Sequence, residues 1–246
     1  MDFIDTFRTD PGTGRKKFAV LVDPDKSDEA SLKRLAKSAG EFGVDFFFFG
    51  GSLLMRGKGE DQISILRDNC SVPVILFPGS SLQIFQNAHG ILLLSLISGR
   101  NPDMLIGKHV ESAALLKASS LEIIPTGYIL VESGSPTSVS YISNTLPIPS
   151  NKPDIAVCTA MAGEMLGLKV IYLDAGSGAL NPVPAGMIRE VKKATGIPLI
   201  VGGGITDPSK AKQALDAGAD VIVIGNAIEK NPDLIASISK VVKDRP

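Results

Sequence analysis

Pro198–Ile228, PLIVGGGITDPSKAKQALDAGADVIVIGNAI, holds two apolar, β-branched runs separated by one helical pattern. Leu199–Val201 and Val221–Ile224 do not alternate in polarity, so each strand is expected to be covered on both faces, as in a parallel sheet. Between them DPSKAKQALDAGAD reads as a helix that ends in glycine just before the second strand. Strand, helix and strand joined by short connections are the unit of an α/β fold.

The same unit recurs toward the N-terminus. Strands are predicted at Phe18–Val22, Asp45–Phe49, Val74–Phe77, Gly90–Leu94, Glu122–Ile124 followed closely by Ile129–Val131, and Val170–Leu173. DEASLKRLAKSAGEFG places leucine and alanine at helical spacing with Asp28 near its start and Gly43 as its stop, and PAGMIREVKKATG reads the same way. Eight strands in 246 residues favour one closed barrel domain, 1–246, over an open sheet, since such barrels run to roughly 250 residues. PGSSLQIFQNAHG, between the third and fourth strands, carries little helical pattern, so that crossover helix is expected to be stunted or absent. Ser133–Lys152, rich in serine, proline and asparagine, is expected to be either a mobile surface connection or a loop over an active site.

Composition narrows the function. A formal charge of −1 offers no basic stripe for nucleic acid. Cys70 and Cys158, far apart, read as buried thiols of a reducing compartment rather than a disulfide framework. The polar opening MDFIDTFRTDPGTGRKK is no signal peptide, and apolar runs such as GILLLSLISG are too short to span a bilayer. A soluble, cytoplasmic protein with at most peripheral membrane contact is expected.

The chemistry is expected at the C-terminal ends of the strands. Gly202-Gly203-Gly204 and Gly225-Asn226 end consecutive strands, where glycine lets backbone N–H groups approach phosphate oxygens closely. The preceding strand ends in YLDAGSG, bringing Tyr172, Asp174, Ser177 and Gly178 to the same face. A carboxylate beside a phosphate suits work on a nearby hydroxyl, although an aspartate in a turn can also be satisfied by local backbone N–H groups. Across the mouth Asp23 follows the first strand and Ser52 the second. One carboxylate and one hydroxyl make a sparse site, which magnesium accepts when substrate phosphates and water complete its shell. Asp25 and Ser27 or Asp28 fit turn and cap chemistry.

Taken together, VDPDK, FFGGS, SLISGRNPDMLIG, IPTGYILVESG, YLDAGSG, VGGGI and IGNAIEKNP resemble the geranylgeranylglyceryl phosphate synthase family, in the group shared by archaea and some bacteria. The likeness runs from the first strand almost to the C-terminus. It implies a modified (β/α)8 TIM barrel lacking its third helix. It also implies a magnesium-dependent prenyltransferase that joins a long prenyl diphosphate, such as geranylgeranyl diphosphate, to the 3-hydroxyl of sn-glycerol 1-phosphate and releases pyrophosphate. By resemblance glycerol phosphate is held by Tyr172, Leu173, Asp174, Ala175, Gly176, Ser177, Gly178, Gly203, Gly204, Gly225 and Asn226. Magnesium (Mg2+) falls to Asp23 and Ser52, and deprotonation of the glycerol hydroxyl to Asp174, where many relatives carry glutamate. Some relatives also have a lysine where this chain has Leu21. A homo-oligomer, dimer or hexamer, is implied as well.

For the prenyl chain, Phe46–Phe49, Leu93–Ile97 and Tyr128–Ile129 are candidates, and Tyr128, beside Gly127 at an expected strand break, is the best placed. His89 and His109 are read as structural or solvated. Arg100 is read as a diphosphate contact or an ion-pair partner of Asp103, and Lys58 as a surface residue. The rival readings are a phosphosugar isomerase or lyase and a non-catalytic phosphate-binding barrel. An isomerase usually wants a paired acid and base, or a lysine, at facing strand ends.

Overall fold

In the computed structural model, which describes residues 2–55 and 59–243, eight parallel strands pair in chain order and β8 closes onto β1. They are β1 (Lys17–Val22), β2 (Phe46–Phe49), β3 (Val74–Leu76), β4 (Gly90–Leu96), β5 (Glu122–Leu130), β6 (Val170–Asp174), β7 (Leu199–Gly202) and β8 (Val221–Ile224). The helices are α1 (Phe3–Thr6), α2 (Glu29–Phe42), α3 (Gly59–Asn69), α4 (Lys108–Ala118), α5 (Ser138–Ser143), α6 (Pro153–Met165), α7 (Ala185–Ala194), α8 (Pro208–Asp216), α9 (Asn226–Lys230) and α10 (Leu234–Lys243). Between β3 and β4 only the 3-10 turn Ser81–Gln83 forms, so the expected loss of the third crossover helix is borne out.

The absence of polarity alternation has a direct cause. Phe46 and Phe48 fill the barrel interior with Ala19, Ile75, Leu92 and Ile200, whereas Phe47 and Phe49 face outward onto the helices. Both faces of each strand are thus covered. Helix α2 starts where its sequence asks: Asp28 accepts from the Ser31 N–H, Ser31 returns the bond to the Asp28 N–H, and Gly43 ends the helix in the left-handed region.

Three expectations need correction. Strand β5 is continuous from Glu122 to Leu130, without the break expected after Ile124. The carbonyl of Pro125 accepts from Lys169 N–H, and pairing with β6 begins only at Thr126↔Val170. Pro125 is paired with Leu93 of β4, and its missing N–H falls on the opposite side, just before β6 begins to pair. Second, of the two readings of Ser133–Lys152 the mobile surface connection fails, while the loop over a site agrees with Ser138, Val139, Tyr141 and Ile142 lining the cavity at the C-terminal face. The segment contains α5, and Ile148 is tied to the barrel by its N–H to Leu130 and its carbonyl to Glu132. Third, Cys158 is exposed on α6 and Cys70 is half-buried, so neither thiol is fully buried.

The N-terminal face is sealed by residues that carried no sequence signal. Phe3 and Phe7 are buried against Phe46, with ring centroids 6.3 and 4.9 Å away, and the Phe3 N–H donates to Glu122. Asp220, buried beside this plug, accepts from Thr9 and Leu199 N–H and pairs with Lys192 at 2.6 Å. Closing this end leaves the opposite one as the open mouth.

Candidate active site

At the C-terminal face the strand ends surround a cavity of about 910 Å3. Asp23, Ser52, Tyr128, Tyr172, Asp174, Gly176, Ser177, Gly178, Gly203, Gly204, Gly225 and Asn226 all line it. Leu173 and Ala175 do not: the two-residue period of β6 that turns Tyr172 and Asp174 inward sends them into the outer core. Ala175 contributes only backbone here, its N–H donating to the Gly202 carbonyl at 3.1 Å.

Asp174 is the centre of the site. Its carboxylate is 6% exposed, accepts the Tyr128 hydroxyl at 2.5 Å through Oδ2, and accepts the Gly176 N–H at 2.8 Å through Oδ1. Burial pushes its pKa up, and the two donors partly hold it down. The Tyr128 phenol is pushed well above its usual range by burial and by the Asp174 charge, so it stays a donor. A carboxyl with a raised pKa and a fixed partner suits proton removal from an alcohol. Tyr128, expected only to line a prenyl site, therefore also positions the acid.

Backbone geometry opens the space beside it. Gly203 has φ +79°, and a Cβ there would lie 2.6 Å from Gly176 N and 2.7 Å from Asp174 Oδ1. Only glycine lets the β7 loop pass so close to the β6 loop. Across the β6–β8 gap, the Asn226 amide donates to Ser177 Oγ at 3.2 Å.

On the other side, Asp23 Oδ1 accepts the Asp25 N–H at 3.1 Å, and Oδ2 pairs with Lys26 at 2.8 Å. Gly51 passes so near that a Cβ on it would sit 3.8 Å from the Asp23 carboxylate, which brings the neighbouring Ser52 to the same rim. The two loops are clamped. Buried Gln83 donates to the Gly51 carbonyl and accepts its N–H, and Gln62 donates to the carbonyls of Pro24 and Ser27. Asp25 accepts the Met55 N–H at 2.8 Å, which joins the β1 and β2 loops and agrees with a structural role.

Lys26 also reaches Asn226 Oδ1 at 3.2 Å and Glu229 at 3.7 Å. Burial works against its charge, but Asp23 and Glu229 outweigh burial and raise its pKa. Lys26 and Glu229 lie within VDPDK and IGNAIEKNP, but sequence reasoning had assigned neither a role.

A second, apolar cavity of about 120 Å3 opens where the third helix is missing. Outward-facing Ile91 and Leu93 form its wall, with Ile84, Met104, Leu116, Val139 and Ile142 around it. Gly51, Ser52, Phe77 and Tyr128 line both cavities, so the groove runs into the mouth beside Asp174. Phe77, missed in the sequence, stacks on Tyr172 at 5.3 Å and meets Tyr128 edge-on at 5.9 Å. Of the proposed groove residues, Phe46–Phe49 are barrel core, whereas Leu93, Leu94 and Leu96 do line the groove. His109 also lines it, bonded to Ser95 Oγ at 3.0 Å, and burial lowers its pKa. His89 accepts the Val74 N–H through Nδ1, as a structural histidine would. Arg100 donates to the carbonyls of Gly99 and Ile97. Lys58 lies outside the described residues.

The model of the PcrB family matches residues 13–243. The chain belongs to the PcrB family. Among its relatives, geranylgeranylglyceryl phosphate synthase of Spirosoma linguale is 56% identical over 232 residues, 94% of this chain and 93% of that protein. The enzyme of the same name from Korarchaeum cryptofilum is 40% identical over 224 residues, covering 91% and 92% of the two chains. The crystal structure of (S)-3-O-geranylgeranylglyceryl phosphate synthase from Thermoplasma acidophilum, in complex with substrate sn-glycerol-1-phosphate, superposes with a TM-score of 0.88. It is 33% identical and covers 94% of both chains.

Within this PcrB-family barrel the donor set is compatible with magnesium. Among the described residues no group of three or more histidine, cysteine or acidic side chains could hold a metal by itself. One carboxylate and one hydroxyl lining the same wide cavity suit a cation that keeps water and takes substrate oxygens.

Proposed function

We propose that the protein is a prenyltransferase that joins a long prenyl diphosphate, such as geranylgeranyl diphosphate, to the 3-hydroxyl of sn-glycerol 1-phosphate. The observation that carries this reading is the position of Asp174, a buried carboxylate where the polar mouth and the apolar groove meet. Glycerol phosphate would lie along Gly176–Gly178, Gly203, Gly204, Gly225 and Asn226, with its free hydroxyl toward Asp174. The prenyl tail would lie in the groove along Leu93 and Leu116, with its allylic carbon beside Tyr128 and Phe77.

In the step itself the glycerol oxygen bonds the allylic carbon while the carbon–oxygen bond to diphosphate breaks, and its electron pair leaves with pyrophosphate. Asp174 takes the hydroxyl proton, and the Tyr128 hydroxyl keeps the carboxylate aimed. Holding the two reacting atoms together supplies much of the acceleration. Magnesium, when bound, would offset the charge gathering on the leaving diphosphate, and Asp23 with Ser52 would hold it.

No helix among the described residues is long and apolar enough to cross a membrane. We read the protein as cytoplasmic and homo-oligomeric, a dimer or hexamer. Exposed Ile155 and Leu166, three helical turns apart along α6, support a face for assembly.

The test supplies sn-glycerol 1-phosphate, magnesium and a C10 to C35 series of prenyl diphosphates, and measures pyrophosphate release together with the ether product. Product with at least one long donor, and none with chelator, is expected. Failure with every donor, in folded protein, would sink the assignment.

A further inference from the structure

The mouth must hold two anionic substrates, yet four of its lining side chains are acidic: Asp23, Asp25, Asp174 and Glu229. Among the described residues only Lys26 and Lys230 bring positive charge to its lining. Lys26 sits between the loops that follow β1 and β8. Its ammonium is 2.8 Å from Asp23 Oδ2, 3.2 Å from Asn226 Oδ1 and 3.7 Å from Glu229 Oε2. Asn226 in turn donates to Ser177, so a chain of polar contacts runs from the cation side of the mouth to the glycine-lined side. The strand beneath offers no charge there, since Leu21 packs its side chain against Gly225. The Lys26 side chain is 48% exposed, so it can move without unpacking a core.

We propose that Lys26 couples the two substrate sites by giving up Asp23 while it keeps Asn226. While no divalent cation is present, its ammonium neutralises Asp23. Once a divalent cation takes Asp23, like charge drives the ammonium off that carboxylate and leaves it on Asn226 Oδ1, which it already reaches at 3.2 Å. There it meets the phosphate of glycerol phosphate. Cation and glycerol phosphate therefore strengthen each other's binding, by the same factor in each direction. This rests on the functional reading above and adds to it a residue that sets acceptor affinity and its metal dependence.

Titration calorimetry without prenyl donor tests the idea apart from turnover. Magnesium alone, sn-glycerol 1-phosphate alone, and sn-glycerol 1-phosphate with saturating magnesium are titrated into the wild type, Lys26→Met and Lys26→Arg. For the wild type, magnesium should tighten glycerol phosphate binding. Lys26→Met should weaken it by roughly 10- to 100-fold, the range for losing one charge-assisted hydrogen bond, and should abolish the effect of magnesium. The same variant should bind magnesium alone more tightly, because nothing competes for Asp23. Lys26→Arg should keep the coupling, which guards against a folding artefact. Unchanged glycerol phosphate affinity in Lys26→Met, or wild-type affinity indifferent to magnesium, would overturn the inference alone. No binding of sn-glycerol 1-phosphate to the wild type would overturn the functional reading and this one with it.

Discussion

Gly203→Ala is the substitution whose consequence follows most directly from distances. Residue 203 sits at φ +79°, where an L side chain costs about 1–2 kcal/mol. The new Cβ would start 2.7 Å from Asp174 Oδ1 and 2.6 Å from Gly176 N, whereas ordinary contact begins near 3.4 Å. The difference, 3.4 − 2.7, means the carboxylate and its loop must retreat by about 0.7 Å. Forcing such an overlap in a packed region adds about 1–3 kcal/mol. Together these give about 3 kcal/mol, which in a domain of this length lowers Tm by roughly 6–12 °C. The retreat also moves the base off its target, and a misplacement on the order of 1 Å is worth about 10²-fold in rate. Thermal melting followed by circular dichroism, with kcat/KM measured well below the lowered Tm, separates the two effects. A variant with wild-type melting and wild-type kcat/KM would show that the β7 loop does not press on Asp174 as described.

Asp174→Asn should fold, because Gly176 N–H can still donate to the amide oxygen while Tyr128 turns to accept from the amide nitrogen; turnover should fall by about 10²–10⁴-fold, and near-normal kcat would remove Asp174 from the mechanism. Since burial raises the Asp174 pKa in the folded state, its ionisation disfavours folding as pH rises through the ordinary carboxylate range, so Asp174→Asn should be relatively more stable at pH 7 than at pH 3; the opposite trend in paired melts would refute the burial argument. Phe7→Ala, at the closed end of the barrel, should cost about 3–5 kcal/mol of stability yet leave kcat/KM near wild type below its Tm, and a selective loss of activity would show that the plug communicates with the mouth.

Strand order and site face were legible because a closed barrel imposes local signals. Runs such as FFFF at Phe46–Phe49 could be assigned without alternation, since inner and outer cores both demand apolar side chains there. Glycine at consecutive strand ends pointed to the mouth for a similar reason. Strand β5 was misread because Pro125 and Gly127 are breakers by local rules, whereas Pro125 stands just before pairing with β6 begins and Gly127 is paired with Ile171 under the close-packed side chains of Ile97 and Leu168. Tyr128 and Asp174 lie 46 residues apart, and no periodicity links them; their bond exists only once β5 and β6 pair in register, with Tyr128 opposite Tyr172. The same holds for Lys26 and Asn226, 200 residues apart and brought together by closure of β8 onto β1.

The missing third helix and the buried acid are best understood as one arrangement. In an ordinary barrel a helix would cover the outward side chains of β4, and Leu93 would be as fully buried as Ile91 is. Here only a 3-10 turn follows β3, so those side chains are left to wall a groove. The turn still anchors the site, because its Gln83 clamps Gly51 beside Asp23. One shortened crossover thus opens space for an apolar chain and fixes the rim where a charged head group would sit. Both features converge on Phe77 and Tyr128, and Tyr128 is the residue that holds Asp174. An apolar tail in the groove therefore ends beside the carboxylate without any group having to cross the barrel. That geometry favours chemistry joining an apolar donor to a polar acceptor over isomerisation of one small phosphosugar, for which the groove would have no use.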